Sequence, residues 1–188
     1  MKKLYLILLI SVCSLTTINA QFTKIGGGLT FGTGYHYNNE AGDFHRSPLL
    51  GIFATGIYEL SLPVHISPSF SFFIPRHNTE FESESRVSSM MIDINGHYVF
   101  NSLDRFEFYG LAGLNIHFTS LKWIGTSSGD SDNTLGLNLG AGTYMKLTDQ
   151  FDLFAEAKYI LSKYGQFMVN AGVLINLQWL TKHENPDI

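Results

Sequence analysis

"NTLGLNLGAGTYMKL", residues 133–147, decides how the rest of the chain is read. Its glycines suggest a loop that cradles a phosphate. A dinucleotide fingerprint needs G-x-G-x-x-G, but Gly140 and Gly142 are followed by Met145, and the Gly-Lys-Ser/Thr ending of a P-loop is absent. Taking alternate residues resolves the stretch instead. Leu135, Leu137, Leu139, Ala141, Thr143 and Met145 form one set; Gly136, Asn138, Gly140, Gly142, Tyr144 and Lys146 form the other. One face is apolar and the other small or polar, which is the period of a strand.

The same alternation recurs along the chain. "FEFYGLAGLNIHF" (106–118) sets Phe106, Phe108, Leu114 and Ile116 against Glu107, Tyr109, Asn115 and His117. "SMMIDINGHYVF" (89–100), "FDLFAEAKYIL" (151–161) and "FMVNAGVLINLQW" (167–179) divide in the same way. "KIGGGLTFGTGYHY" (24–37), "LLGIFATGIYEL" (49–60) and "VHISPSFSFFI" (64–74) alternate less cleanly, and Pro68 counts against the third as an ordinary ladder strand. That makes eight strand candidates and no helix. The connections take turns: 61–63, 101–105 and 147–150 are short, while 38–46, 78–85 and 124–132 are longer and polar, with a last short turn near 163–166. An even count with alternating long and short connections predicts an all-β fold, an eight-stranded antiparallel up-and-down transmembrane β-barrel.

The ends and the composition agree with export. Lys2 and Lys3, the apolar run 4–12 and the small-residue site ending at Ala20 read as a secretory signal peptide over residues 1–20. The apolar run is too short to span a bilayer as a helix. Cys13, the sole cysteine, would leave with it, so the mature chain has no disulfide and no thiol nucleophile. The barrel domain is expected over 21–180, with a short periplasmic tail at 181–188. Charged residues make up only 15% of the chain, aromatics 14%, and the net charge of −4 offers no basic stripe for nucleic acid.

Which way the apolar face points separates a membrane barrel from a soluble lipocalin-like carrier. The polar face carries Asp93, Glu107, Lys146, Glu156 and Lys158, with Lys24 on the first strand. Those charges would be costly in a dry soluble core, but they can pair and meet water in a lumen. The other face is nearly free of charge and suits lipid. Aromatics gather toward strand ends, and Tyr35, Tyr58, Phe100, Phe106, Trp123, Phe151, Tyr159 and Trp179 are the expected interfacial girdles.

With the segments "GLAGLN", "NLGAGTYMKL" and the closing "NAGVLINLQW", the chain resembles the small outer-membrane β-barrel domain proteins, similar to the transmembrane domains of OmpA and OmpX. The Ala20–Gln21 junction looks like exported proteins of Bacteroidota. The last strand is similar to the terminal signal read by the barrel-assembly machinery, although "LTKHENPDI" continues beyond it. The resemblance implies the outer membrane as location and its lipid and lipopolysaccharide as surroundings. It implies a structural or surface-interaction role, with the extracellular ligand unidentified.

No chemistry outweighs that reading. The seven histidines show no H-x-x-x-H spacing; His36, His45 and His77 fall near loop mouths, and no metal or cofactor is expected. His65 and Ser67 share a strand face, as in barrel lipid A deacylases, but they lie near the periplasmic rim, away from the outer leaflet. The chain is therefore expected to be no enzyme. The alternatives are a narrow porin-like channel, a lipid A-modifying barrel enzyme, and a soluble lipocalin-like carrier.

Overall fold

The computed structural model describes residues 22–34, 36–39, 42–45, 49–61, 63–78, 85–123 and 129–177. Ten strands run through them: β1 (Phe22–Gly32), β2 (His36–Asn39), β3 (Gly42–His45), β4 (Leu49–Ser61), β5 (Val64–Asn78), β6 (Ser85–Leu103), β7 (Phe106–Trp123), β8 (Gly129–Lys146), β9 (Phe151–Leu161) and β10 (Gln166–Asn176). Eight of them close a barrel in the order β1-β10-β9-β8-β7-β6-β5-β4. Every neighbouring pair is antiparallel, and β1 closes the ring between β10 and β4. The remaining two, β2 and β3, pair only with each other.

Alternation along each strand fixes its faces. On β6, Met91, Asp93, Asn95 and His97 are buried, whereas Met90, Ile92, Ile94 and Tyr98 are exposed. Leu135, Leu137 and Leu139 of β8 stand exposed while Gly136 and Asn138 between them are buried. The apolar face is therefore outside, which excludes the soluble carrier with an apolar cavity. From Met90 to Phe100 the exposed side of β6 spans ten residue steps. That is about 33 Å of strand, or about 25 Å once tilted by about 40°, the height of an outer-membrane apolar band.

The glycines of the opening stretch face inward and make room. A Cβ on Gly140 would stand 2.2 Å from the Ala157 carbonyl and 2.8 Å from Lys158 Cβ, and one on Gly142 would stand 2.4 Å from the Tyr109 ring. Eight strands leave a lumen just wide enough for side chains, so the largest of them need glycine opposite.

Several expected boundaries move. The first strand stops at Gly32 instead of Tyr37, where Gly34 turns the chain with φ 87° and the Thr33 hydroxyl accepts the Phe167 amide at 3.1 Å. β6 and β7 close over Asp104 and Arg105 alone, with Asp104 at φ 33°, so most of 101–105 is strand and not turn. β8 begins at Gly129, inside the stretch expected as loop, because Ser131 and Asp132 pair with Ser120 and Thr119 beyond the apolar band, where no hydrophobic alternation marks a strand. Pro68 stays within β5, paired with Ile94 of β6. Opposite it the β4 ladder skips Gly56 and Ile57, since proline has no N–H to give, and Thr55 Oγ1 donates to the Pro68 carbonyl at 3.1 Å.

Candidate functional site

Inward side chains fill the barrel in three levels. Toward the long-loop end, Leu49, Phe73, Met91, Ile160, Tyr164 and Met168 form an apolar plug. Toward the short-turn end, Phe53, Ile57, Tyr109, Leu111, Tyr144, Phe154 and Leu174 form an aromatic one. Phe53 meets Phe154 edge-on at 5.4 Å, and His97 stacks on Tyr109 at 4.3 Å, which stacks on Tyr144 at 4.5 Å.

Between the plugs lies a charged network. Asp93 accepts hydrogen bonds from Lys158 Nζ at 2.9 Å and from the amides of Asn115 and Asn138 at 2.7 Å each. Ser69 Oγ adds a longer one at 3.3 Å. Lys158 also stands 3.7 Å from Glu156, which accepts from the Tyr109 hydroxyl and Asn170 Nδ2, each at 3.3 Å. His97 places Nε2 3.7 Å from Glu156 and Nδ1 2.6 Å from the Tyr144 hydroxyl. A buried lysine persists here because two carboxylates face it and amides occupy their remaining lone pairs. Asp93, Glu156 and Lys158 are thus brought together by β6 and β9, across the lumen from each other.

Glu107 and Lys146 lie elsewhere. Glu107 lines a polar vestibule of 240 Å³ at the short-turn mouth, with Lys24, Glu59, Arg105 and Asp152. Lys24 and Asp152 form an ion pair there at 2.8 Å. Lys146 keeps the inward parity of β8, but the strand ends with it. Its side chain is exposed and pairs with Asp149 of the turn at 2.8 Å, which raises its pKa above the ordinary lysine value.

The aromatics expected as girdles divide between the ends. Tyr58, Phe100, Phe106 and Phe151 stand at the short-turn ends of β4, β6, β7 and β9, with Phe22 edge-on to Tyr58 at 5.8 Å. Tyr159 stands at the opposite end of β9, 46% exposed. Tyr35, Trp179 and the side chain of Trp123 lie outside the described residues. At the long-loop rim, Asp132 accepts from the Tyr164 hydroxyl and from Lys163 Nζ; these bonds hold its carboxyl below the usual carboxylate range.

Sequence reasoning did not single out the amides around Asp93. Their signal was present, since Asn115 and Asn138 sit at inward positions of β7 and β8, one and two strands from Asp93. His65 and Ser67 face the lumen, with Ser67 hydrogen-bonded to Thr55 at 3.0 Å and neither His65 ring nitrogen bonded to protein. His36 and His45 are opposite each other in the β2–β3 hairpin. Among the described residues no group of three or more His, Cys, Asp or Glu could hold a metal ion.

An apolar outer wall of membrane height around a packed, charged lumen defines a small transmembrane β-barrel. The chain belongs to the outer membrane protein beta-barrel domain family, whose model matches residues 5–179. Its fold is similar to that of Ail, the attachment invasion locus protein of Yersinia pestis, at 16% identity and TM-score 0.51, covering 82% of this chain and 100% of Ail. It is also similar to Neisserial surface protein A, at 16% identity and TM-score 0.55, covering 84% and 99%. A major outer membrane protein of Thermus thermophilus matches at 11% identity and TM-score 0.55, covering 80% and 98%. At such identities the likeness is one of fold. No curated protein sequence matches the chain significantly.

Proposed function

We propose that this small outer-membrane barrel is non-enzymatic and acts by occupying the membrane and presenting its long-loop end outward, in a structural or surface-interaction role. The filled lumen carries this reading. The cavity between Phe53, His97, Tyr109, Tyr144 and Glu156 is about 10 Å³, room for about one water molecule. Among the described residues the two plugs and the network between them fill the lumen, which points to the outer loops and the wall as the surfaces for function. The inward placement of His65 and Ser67 supports the non-enzymatic reading, because a lipid substrate lies on the other side of the wall.

Residues 1–20 act in this reading as a cleaved export signal, and the mature chain starts at Gln21. The closing strand serves the barrel-assembly machinery, and outer-membrane lipid with lipopolysaccharide forms the surroundings. The resemblance to the OmpA and OmpX domains fits the same role. Two neighbours in fold are named for attachment and for the surface, which accords with work done at the outer rim.

The test is conductance of the purified protein in planar bilayers. A silent membrane, with the protein shown folded by a boiling-dependent gel shift, is the expected result. Reproducible unit conductance steps would make the narrow channel the better reading. Unchanged lipid A mass spectra on expression of wild type and His65→Ala would meet the enzyme alternative directly.

A further inference from the structure

We infer that Arg86 and Lys122, with the groove beneath them on the outer wall, bind the phosphate and one acyl chain of a phosphorylated lipid of the outer leaflet. This rests on the proposed orientation, with the long-loop end outward. On β6 the outward positions run Arg86, Ser88, Met90; on β7 they run Lys122, Ser120, Phe118, because Ser89, Met91, His117 and Thr119 between them are buried. The register aligns these into rows: Arg86 opposite Lys122, Ser88 opposite Ser120, Met90 opposite Phe118. β8 extends the middle row, placing Ser131 beside Ser120.

The top row is two cations side by side and exposed. Like charges opposite each other on neighbouring strands destabilise the pair. Among the described residues neither has an ion-pair partner, unlike Lys24, Lys146, Lys158 and Lys163. A shared anion would relieve that repulsion, and a phosphate can accept from both. Below them, serine hydroxyls stand about 7 Å further down the strands, at about 3.3 Å per residue. There they would meet the ester, amide or hydroxyl groups that join a lipid headgroup to its chains.

The bottom row opens into the third element. Phe72, Met90 and Phe118, with the three serines, line a groove of 220 Å³ on the wall. It is made by the small side chains between bulky ones, and it starts where the apolar band starts. Charge above, hydroxyls between and an apolar slot below follow the order of groups in a phosphorylated membrane lipid.

The test titrates the full-length protein, in detergent, with diphosphoryl lipid A and reads bound lipid by native mass spectrometry. The dephosphorylated lipid and inorganic phosphate serve as comparison probes. Arg86→Gln/Lys122→Gln is expected to weaken lipid A binding by about tenfold or more, as is removal of the lipid's phosphates. Ser120→Trp, which fills the groove and keeps both cations, is expected to weaken it too. Excess inorganic phosphate should fail to displace the lipid, and Arg105→Gln at the opposite rim should leave binding unchanged.

Wild-type affinity in the double variant, or equal affinity for the dephosphorylated lipid, overturns the site. So does equal weakening by Arg105→Gln, which would mean diffuse charge attraction. Displacement by inorganic phosphate would assign the cations to a free anion. A boiling-dependent gel shift checks that each variant is folded. Recovery of the protein outside the outer membrane would instead defeat the proposed orientation on which the site rests.

Discussion

The lumen and the lipid-facing wall are built by the same strands, one residue apart, yet they tolerate change in opposite ways. Inside, Lys158, Asp93 and Glu156 are buried charges held by named partners at 2.9 and 3.7 Å. Outside, Leu114, Leu135 and Ile94 are more than half exposed and meet only lipid. The inner face depends on particular contacts, so a change there is felt according to what it leaves unpaired. The outer face depends on polarity and depth, so any apolar residue serves and any charge is expensive in proportion to its distance from the rim.

The largest effect is expected at Asp93. Asp93→Ala leaves Lys158 buried without its nearest carboxylate and the Asn115 amide without its acceptor, while Asn138 keeps only Asn95 Oδ1 at 2.8 Å. A loss of about 3–5 kcal/mol is expected, read as a lower urea midpoint for the folded band on unboiled gels. Replacing both partners, Asp93→Leu with Lys158→Met, should restore part of it, since the apolar pair needs no compensation but Glu156 loses its facing cation and Asn115 its acceptor. If the double variant is as unstable as the single one, the network matters for shape and not for charge.

The outer face supplies the counterpart. Leu114→Arg, near mid-band on β7, should cost about 2–4 kcal/mol, while Phe106→Arg at the short-turn rim should cost about 0–1 kcal/mol in the same urea measurement. Equal costs would mean that the wall is not graded by depth, and the membrane reading of that face would fail. Glycine offers a finer contrast, because Gly110 and Gly142 lie on neighbouring strands and face opposite ways. A Cβ at Gly110 has nothing within 4 Å, but one at Gly142 strikes the Tyr109 ring and lies 2.8 Å from the Ala155 carbonyl. Gly142→Ala is expected to cost about 1–3 kcal/mol through overpacking, and Gly110→Ala to change little.

How much of this was legible in the chain depends on which interaction leaves a periodic trace. Alternation marks the faces of β6–β10 plainly, since the lipid side must be apolar for the whole height of the band. It fails where the strands outgrow the membrane: Ser131 and Asp132 pair with β7 in a polar extension that reads as loop. It also could not tell Glu107 and Lys146 from Asp93 and Glu156, because parity gives the direction of a side chain but not its height. Lys158 meets Asp93 only because the sheet curls shut across 65 residues of sequence. Pro68 misled in the other direction, since a missing N–H is tolerated when the neighbouring strand supplies a hydroxyl to the carbonyl instead.

A smaller effect is expected at Asp132, which belongs to the long-loop rim above both faces. Its carboxyl is held below the usual range, so the stabilisation is present above the ordinary carboxylate pKa of about 4 and is lost as pH falls through the lowered value. The group is partly exposed and screened, so about 1 kcal/mol or less is at stake. Amide exchange at the Asp132–Tyr164 contact should quicken on acidification below about pH 4 in wild type. Asp132→Asn should show the faster exchange at every pH and no such dependence. A midpoint that moves globally with this titration would mean that the rim and the barrel open together.

Least of all should follow from Lys146, and the reason sharpens the comparison. It has the parity of the inner face and a carboxylate at 2.8 Å, much as Lys158 has one at 2.9 Å, and that carboxylate raises its pKa. Burial is what differs: Lys158 is 2% exposed, whereas the Lys146 side chain is 59% exposed. An exposed pair three residues apart gains little over two hydrated ions, and salt screens what remains. Because its folded pKa is raised, whatever it contributes is fully present at neutral pH and would disappear only as pH climbs through that raised value. Lys146→Ala should therefore leave the urea midpoint unmoved at neutral pH, while Lys158→Ala lowers it and leaves Asp93 and Glu156 facing each other. A midpoint lowered as far by Lys146→Ala would mean that the short-turn vestibule is part of the folded network, and the division between a packed lumen and a hydrated rim would have to be redrawn.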